Sequence, residues 1–334
     1  MAGGGTGGHV VPSLAVAREL VARGHRAVFV GTRAGHEAKL VPAAGFEIEW
    51  IETGAWQRVS LARRLKTLWQ VPAGFGRAWS VLSRTRAAAV FSLGGYVAAP
   101  VVAAAFARRV PVVAMEPNAM PGLVNRLGGR WVSRALLGFA EAGRWFPQGR
   151  WEVTGVPVRA EFFRIPPKPP GEEFVVLITG GSRGSRTLNQ AYAAGLPLFK
   201  EAGVKVRFRH QSGVAGSPDA FISDMPGAFA EADLIVCRSG ANTVAELAAA
   251  GRPSILVPFP FAADDHQRKN AEAMERAGAA RLVADGEMNG ERLFKEVTAL
   301  LGDRERLARM GEAAHTLAHP NAAARAASVL EELI

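Results

Sequence analysis

The chain has 334 residues, 49% of them hydrophobic and 21% charged, which is the composition of a folded globular protein and excludes a disordered or fibrous one. Its length predicts two domains, because a single hydrophobic core stops growing at roughly 250 to 300 residues. The formal net charge of +10 favours nucleotides, nucleic acid or an anionic membrane surface as partners. The single cysteine, Cys237, excludes an internal disulfide and fits a reducing, cytoplasmic setting.

The chain begins with a glycine-rich segment, residues 3–8, which we call the first glycine loop and which has the pattern G-x-G-x-x-G. Glycines at this spacing let the backbone approach a pyrophosphate, whose charge the following helix N-terminus can hold. NAD is disfavoured, because the next predicted strand ends in Gly31, Thr32 and Arg33 without a carboxylate. His9 follows the loop directly and is a candidate base for a hydroxyl nucleophile.

Only Met1 and Ala2 precede the first glycine, so no strand is predicted before the loop. We therefore expect the N-terminal sheet to be destabilised.

No signal peptide is predicted. The uncharged run at residues 87–107 is long enough for a membrane-spanning helix, but Gly94 and Pro100 interrupt it. This run therefore predicts a buried strand, a turn and a helix.

Short β-branched runs alternate with alanine-rich stretches along most of the chain, which is typical of parallel βαβ units. Strands are predicted at residues 26–31, 88–93, 111–115, 174–179, 205–210, 233–237 and 254–258. Helices are predicted at residues 12–23, 61–84, 96–109, 185–201, 242–250, 267–277 and 322–333. This order predicts an α/β protein with a doubly wound parallel sheet built twice.

The predicted helix at residues 61–84 is basic and amphipathic. Its apolar residues recur at helical spacing and include Leu65, Leu68, Trp69, Phe75 and Trp79. We interpret the segment as a membrane-surface element, with a break at residues 72–74 forming a protruding apolar hairpin. The alternative is a stripe that packs on the core and leaves a solvated cationic face.

Four prolines within residues 165–171 mark a domain boundary, because they cannot continue a helix or a central strand. The predicted domains are residues 1–163, joined by the C-terminal helix at 320–334, and residues 164–319. The second half begins with residues 179–185, which we call the second glycine loop. It again presents backbone amides, and Arg183 adds positive charge for a phosphate.

Further candidate residues follow in the second half. Glu246 lies about one turn into a predicted helix, where a carboxylate can bind ribose hydroxyls or simply balance the helix dipole. Gln267 and Asn270 are three residues apart, so both amides share one helical face and suit sugar hydroxyls. Asp264 and Asp265 have no spaced partner and are predicted to cap a helix, so no metal site is expected.

Several ordered motifs between residue 3 and about residue 280 together resemble the MurG family, the N-acetylglucosaminyltransferases that convert lipid I to lipid II in bacterial peptidoglycan synthesis. The motifs are GGTGGH at 4–9, SLGGY at 92–96, EPN at 116–118, PG at 121–122, GVPVR at 155–159, GGS at 180–182 and RSGA at 238–241. The resemblance implies a GT-B fold, with two Rossmann-like domains facing a cleft. It also implies an inverting reaction without a metal or other cofactor, and peripheral attachment to the cytoplasmic face of the membrane.

The resemblance further implies a role for each domain, and it leaves no part for nucleic acid. The first domain would bind the membrane surface and lipid I, with His9 as the preferred catalytic base and Glu116 as the second choice. The second domain would bind UDP-N-acetylglucosamine. Implied acceptor contacts are Thr6, Gly7, Gly8, Tyr96 and Asn118. Implied donor contacts are Arg159, Ser182, Arg238, Ala241, Asn242 and Thr243 near the phosphates, Phe221 and Ile222 at the uracil, Glu246 on the ribose, and Gln267 and Asn270 on the sugar.

The chain departs from the family pattern in three places. The family's His-Glu-Gln-Asn is here Met115-Glu116-Pro117-Asn118, Val156 replaces an asparagine, and Arg183 replaces a glutamine.

Two other functions stay open. A UDP-N-acetylglucosamine 2-epimerase of the same fold would turn over the donor without an acceptor, and a non-catalytic nucleotide-sugar sensor at the membrane surface would bind the donor without turnover.

Overall fold

The computed structural model describes residues 1–4, 7–52, 61–168, 171, 173–217 and 220–334, and at residues 61–71 it describes the backbone alone. The prediction for Thr6, and those for the side chains of Leu65, Leu68 and Trp69, lie outside the described residues. The chain forms two compact units. The first comprises Met1–Pro157 and Asn321–Ile334, and the second comprises Val158–Pro320.

Both units alternate strands and helices. The strands are β1 Ala2–Gly3, β2 Val28–Gly31, β3 Glu47–Trp50, β4 Val90–Gly94, β5 Val112–Glu116, β6 Arg134–Leu137, β7 Trp151–Val153, β8 Phe174–Thr179, β9 Val206–Gln211, β10 Leu234–Cys237, β11 Ser254–Leu256 and β12 Ala280–Leu282. The helices are α1 Gly7–Ala22, α2 Glu37–Ala43, α3 Leu61–Arg84, α4 Gly95–Ala107, α5 Leu123–Gly128, α6 Ala160–Phe163, α7 Arg186–Glu201, α8 Met225–Glu231, α9 Ala241–Ala250, α10 His266–Arg276, α11 Gly290–Leu301, α12 Arg304–Thr316 and α13 Ala322–Glu331.

The first unit is built on a parallel sheet in the order β3-β2-β1-β4-β5-β6-β7. Strands β4 and β5 are buried along their whole length, as expected for a parallel sheet covered on both faces. Helix α13 packs on this unit, where Arg325 pairs with Glu152 and Arg23 pairs with Glu331. The strand order reverses between β1 and β4, which defines a doubly wound, Rossmann-like sheet.

The second unit contains a parallel sheet in the order β12-β11-β10-β8-β9, which also reverses direction, between β8 and β10. Its core is formed by the apolar residues of β8, β10 and β11 with those of α7 and α11. Ligands of doubly wound sheets bind outside the carboxyl ends of the strands at such a reversal. The two glycine loops follow β1 and β8, so each lies at the reversal point of its own sheet.

The first strand is the main correction to the sequence-based map. No strand was expected before the first glycine loop, yet Ala2 pairs with Val30 on one side and with Ser92 on the other. The Met1 ammonium donates to the Val28 carbonyl at 2.8 Å, and burial lowers the pKa of this amine to about 5. The sheet therefore runs unbroken through a strand of two residues.

The basic amphipathic segment is a second correction. Residues 72–74 were expected to break it into a hairpin, but α3 continues through Pro72 over 24 residues. Among the described residues of this helix, Phe75 is half-buried against the core, whereas Trp79 is 39% exposed. No helix in the part of the chain that the structure describes is both long and apolar enough to cross a membrane.

Candidate active site

Three neighbouring strands of the first sheet end at one edge. Gly3 ends β1, Gly94 ends β4 and Glu116 ends β5, and these strands are adjacent in the sheet. Because the carboxyl ends of parallel strands share an edge, the segments that follow them lie close together. This edge carries four of the predicted residues of the first domain: His9, Tyr96, Glu116 and Asn118.

His9 lies in the first turn of α1, directly after the first glycine loop. Its Nδ1 is 3.1 Å from the Gly4 carbonyl oxygen, which can only accept a hydrogen bond, so Nδ1 carries the proton. In the neutral ring the lone pair is then on Nε2. Gly95 lies against the imidazole at φ +77°, and a Cβ there would be 3.2 Å from His9 Cε1. The backbone thus fixes both the orientation of the ring and its tautomer.

Glu37 is a buried carboxylate beneath the same loop that sequence reasoning missed. Its Oε1 accepts from the Thr32 amide at 2.9 Å and from the Thr32 hydroxyl at 2.8 Å. A Cβ on Gly4 would lie 2.5 Å from the Glu37 carboxyl carbon, and one on Gly35 would lie 2.4 Å from it. The close approach of these glycines shows that Glu37 supports the loop from which the Gly4 carbonyl orients His9.

Glu116 holds the segment that follows β5. Its Oε1 accepts from the amide and the side chain of Asn118, and its Oε2 accepts from the Gly122 amide and the Asn125 side chain. Burial raises the pKa of the Glu116 carboxyl, and the hydrogen bonds from Asn125 and Asn118 oppose this shift. Four donors occupy the carboxylate, which is 1% exposed. This geometry fits a positioning residue and argues against the prediction of Glu116 as a second base.

The second sheet also presents the ends of three adjacent strands, β9, β8 and β10. The second glycine loop follows β8. The Gly181 amide donates to the Thr179 hydroxyl at 3.0 Å, and the Ser185 hydroxyl caps α7 by accepting from the Leu188 amide at 3.2 Å. Gly181 and Gly184 adopt φ of +78° and +67°. Ser182 is exposed in this turn, next to the N-terminus of a 16-residue helix, which suits an anion.

The segment after β10 holds several of the predicted phosphate contacts. Ala241, Asn242 and Thr243 form the first turn of α9, and the side-chain oxygen of Asn242 is buried without a hydrogen-bond partner among the described residues. Arg238 has another role in this structure: its NH1 donates to the Val257 carbonyl at 3.0 Å and to Asp285 at 2.5 Å. Arg238 thus holds the segment that follows β11, and its contact with phosphate stays a prediction.

Glu246 lies on α9 and is partly buried. Burial raises the pKa of its carboxyl to about 7, and the positive charge of Arg159 opposes this shift. The group therefore changes charge near neutral pH. Arg159 itself precedes α6 and lies over the ring of Phe162 at 4.9 Å. The structure thus brings two of the predicted donor-site residues, Arg159 and Glu246, into electrostatic contact.

Gln267 and Asn270 lie on α10, where the Gln267 side chain is bonded to the segment after β11 and the Asn270 side chain to the segment after β10. The Gln267 side chain accepts from the Phe259 amide at 3.0 Å. Asn270 is fully buried and donates to the Ser239 carbonyl at 3.1 Å. The shared helical face is as predicted, but Asn270 here holds a loop, and a direct contact between it and a sugar stays a prediction.

The acidic pair before α10 lies in a strained turn. Asp264 and Asp265 adopt φ of +52° and +55°, and Asp265 occupies the N-cap position without a side-chain capping bond. Within the described ranges, the structure shows no group of three or more His, Cys, Asp or Glu side chains that could hold a metal ion.

Comparison with solved structures defines the class. The chain matches a structure of Acinetobacter baumannii MurG with a TM-score of 0.80 and 28% identity, covering 99% of this chain and 98% of that one. It also matches the glycosyltransferase of kitacinnamycin with a TM-score of 0.73 at 20% identity, covering 98% of this chain and 97% of the other, a likeness that concerns the fold. The two Rossmann-like units therefore form a glycosyltransferase of the GT-B type.

Sequence comparison identifies the family within this class. Residues 1–137 match the glycosyltransferase family 28 N-terminal domain, and residues 175–326 match the C-terminal domain of the same family. The chain is 58% identical to the UDP-N-acetylglucosamine–N-acetylmuramyl-(pentapeptide) pyrophosphoryl-undecaprenol N-acetylglucosamine transferase of Solibacter usitatus, covering all of this chain and 95% of that relative. The transferase of the same name from Anaeromyxobacter sp. strain K is 41% identical, covering all of this chain and 92% of its own length. The chain belongs to glycosyltransferase family 28, in the group of these N-acetylglucosamine transferases.

Proposed function

We propose that this chain transfers N-acetylglucosamine from UDP-N-acetylglucosamine to the 4-hydroxyl of the muramyl sugar of lipid I, which gives lipid II. The observation that carries the proposal is 58% identity over the whole chain to a transferase with that named activity. The orientation of His9 and the unpartnered Asn242 oxygen support a site for proton transfer and a site for a ligand, respectively.

The reaction assigned to His9 is removal of a proton. Nε2 takes the proton of the acceptor hydroxyl while its oxygen bonds to the anomeric carbon of the donor. The bond from that carbon to the β-phosphate oxygen breaks, and its electron pair leaves with UDP. The Gly4 carbonyl keeps Nδ1 protonated throughout, so the ring becomes an imidazolium when Nε2 takes the proton.

The second unit would bind the donor and stabilise the leaving UDP. Charge develops on the departing diphosphate, and the amides at the start of α7 and α9 and the Arg159 guanidinium supply fixed positive potential for it. This set of groups explains how the chain can act without a metal. Glu246, when ionised, would accept hydrogen bonds from the ribose hydroxyls, and Phe221, which is 65% exposed, would contact the uracil.

Membrane attachment is part of the proposal. Trp79 on α3 is exposed, and the Arg108 guanidinium lies over its ring at 4.8 Å. An indole beside a cation suits the interface of an anionic bilayer. We infer peripheral attachment through this face of the first unit, on the cytoplasmic side, where UDP-N-acetylglucosamine is supplied.

The test measures UDP release from UDP-N-acetylglucosamine with and without a lipid I analogue, in EDTA. Release that needs the acceptor and survives EDTA is the expected result, with a disaccharide product. Release without acceptor would support the 2-epimerase, and donor binding without release would support the sensor. Release that EDTA abolishes would contradict the metal-free mechanism.

A further inference from the structure

Gln211 connects two segments of the donor site that are far apart in sequence. It ends β9 and is 1% exposed. Its Nε2 donates to the Gly181 carbonyl at 2.8 Å, and its Oε1 accepts from the Ile222 amide at 3.3 Å. A buried side-chain amide is costly unless both of its ends are bonded. The two bonds therefore fix the amide between the second glycine loop and Ile222.

The backbone around Gln211 is packed with no spare room. A Cβ on Gly184 would lie 2.0 Å from the Ser212 carbonyl oxygen, and one on Gly213 would lie 2.2 Å from the Gly184 amide nitrogen. Asn189 on α7 also donates to the Ser212 carbonyl, at 2.9 Å. The segment after β9 is thus held directly against the second glycine loop.

The same segment is also bonded to the residue before Phe221. The Gly213 amide donates to the Ala220 carbonyl at 3.1 Å. Phe221 is exposed, whereas the Ile222 amide is held by Gln211. One side chain therefore sets the separation between an anion-binding turn and an exposed aromatic residue.

We propose that Gln211 is a positioning residue that fixes the spacing between the second glycine loop and the Phe221–Ile222 segment, so that the site takes a ligand with a base at one end and a diphosphate at the other. This inference rests on the proposed function, because it takes these segments as the diphosphate and uracil sites. A preformed spacing lowers the cost of binding a ligand that spans both segments. It does little for a ligand that touches only one of them.

The test uses Gln211→Glu and measures the affinity for UDP and for uridine by calorimetry and ligand-observed NMR, from pH 5.5 to pH 8. A protonated carboxyl keeps one donor for Gly181 and one acceptor for Ile222, whereas an ionised carboxylate repels the Gly181 carbonyl and the diphosphate. Burial raises the pKa of a carboxyl, so protonation at the acid end is expected. Relative to wild type, UDP should bind about tenfold more weakly at pH 8 and within about twofold at pH 5.5.

Controls separate spacing from general damage. Gln190→Glu places the same charge on the exposed face of α7 and should follow wild type at both pH values. Uridine should bind Gln211→Glu within about twofold of wild type throughout. Gln211→Asn, which is too short to span both segments, should weaken UDP binding about tenfold at every pH. It keeps the test valid if the glutamate variant does not fold.

Two results would overturn the inference while leaving the proposed function intact. One is wild-type UDP affinity for both Gln211 variants, and the other is an equal loss for uridine and UDP. If the wild-type protein itself binds no UDP, the proposed donor site fails, and the role of Gln211 fails with it.

Discussion

The two glycine loops occupy equivalent places in the two sheets but are anchored by different chemistry. The first follows a strand of two residues and rests on the Glu37 carboxylate, and the second follows a strand of six residues and is held by the neutral Gln211 amide. The Glu37 carboxyl packs against Gly4, whose carbonyl oxygen lies 3.1 Å from His9 Nδ1. An amide beneath the second loop avoids repelling a diphosphate. Under the proposed function, the same local fold would serve proton transfer in one unit and anion binding in the other.

The largest effect should come from removing the imidazole that follows the first loop. His9→Ala should lower the acceptor-dependent transfer rate by about 10²- to 10⁴-fold, the usual contribution of a general base, with UDP affinity unchanged. Steady-state kinetics and UDP titration measure the two quantities. His25→Ala, which removes an imidazole paired with Glu331, serves as the control and should retain the wild-type rate. Wild-type turnover by His9→Ala would remove the first loop from the chemistry.

A smaller effect is expected from neutralising the anchor of the first loop. Glu37→Gln keeps an acceptor for the Thr32 donors but changes the group that packs against Gly4, whose carbonyl orients His9. Transfer should therefore slow about tenfold, as a misoriented base becomes less effective. Glu47→Gln, at an exposed carboxylate paired with Arg26, is the control. A wild-type transfer rate for Glu37→Gln would show that Glu37 does not help to orient His9.

The second unit offers a test at Glu246. The pKa of this carboxyl is raised to about 7, so its ionised form prevails only above that pH. Glu246→Gln should weaken UDP binding about tenfold at pH 8.5 but little at pH 5.5, when affinities are compared with wild type at each pH. Glu291→Gln, on an exposed turn of α11, is the matched control.

The same substitution has a consequence for stability. The folded-state pKa of Glu246 lies above the ordinary value. The contribution of this group to the free energy of unfolding is therefore fully present below about pH 4.5 and is lost as the pH rises through about 7. Ligand-free Glu246→Gln should therefore melt at a higher temperature than wild type above pH 7, by an amount that shrinks toward pH 5. A UDP affinity ratio that does not vary with pH would contradict the assignment of Glu246 to the ribose.

The smallest effect is expected at the membrane face. Trp79→Ala should lower binding to vesicles that contain anionic lipid by several-fold, because one exposed indole among several basic residues is removed. Cosedimentation measures this binding. Leu196→Ala removes an exposed apolar side chain from α7 and should bind vesicles like wild type. Equal binding by both variants would place the attachment surface elsewhere.

Much of the fold was predictable, because the central strands are continuous apolar runs. The strand at residues 174–179 was predicted with its observed bounds, whereas the edge strand β3 was missed because Glu47 and Glu49 make it look polar. Helices α8, α11 and α12 were also missed. Their caps, Asp224, Asn289 and Asp303, each accept from the amide three residues on, so a capping signal was present in the sequence.

The candidate site was less predictable from the sequence than the fold. His9 could be proposed from its place after the first glycine loop, since both belong to one short segment. Glu37 and Gln211 could not, because each acts on a loop about 30 residues away and only the sheet brings them together. Glu116 and Asn270 make hydrogen bonds within the protein that the sequence could not show, and their roles toward the substrate stay predictions. Sequence motifs thus identify the segments of a site more readily than the role of each side chain within it.

We propose that the first glycine loop serves proton transfer while the second binds the nucleotide. The most direct measurement is a calorimetric titration of UDP into Glu37→Gln and Gln211→Glu, side by side with wild type at pH 8. Wild-type affinity is expected for Glu37→Gln, and a loss of about tenfold is expected for Gln211→Glu. Equal weakening of both variants, or weakening of Glu37→Gln alone, would contradict the division of labour between the two loops.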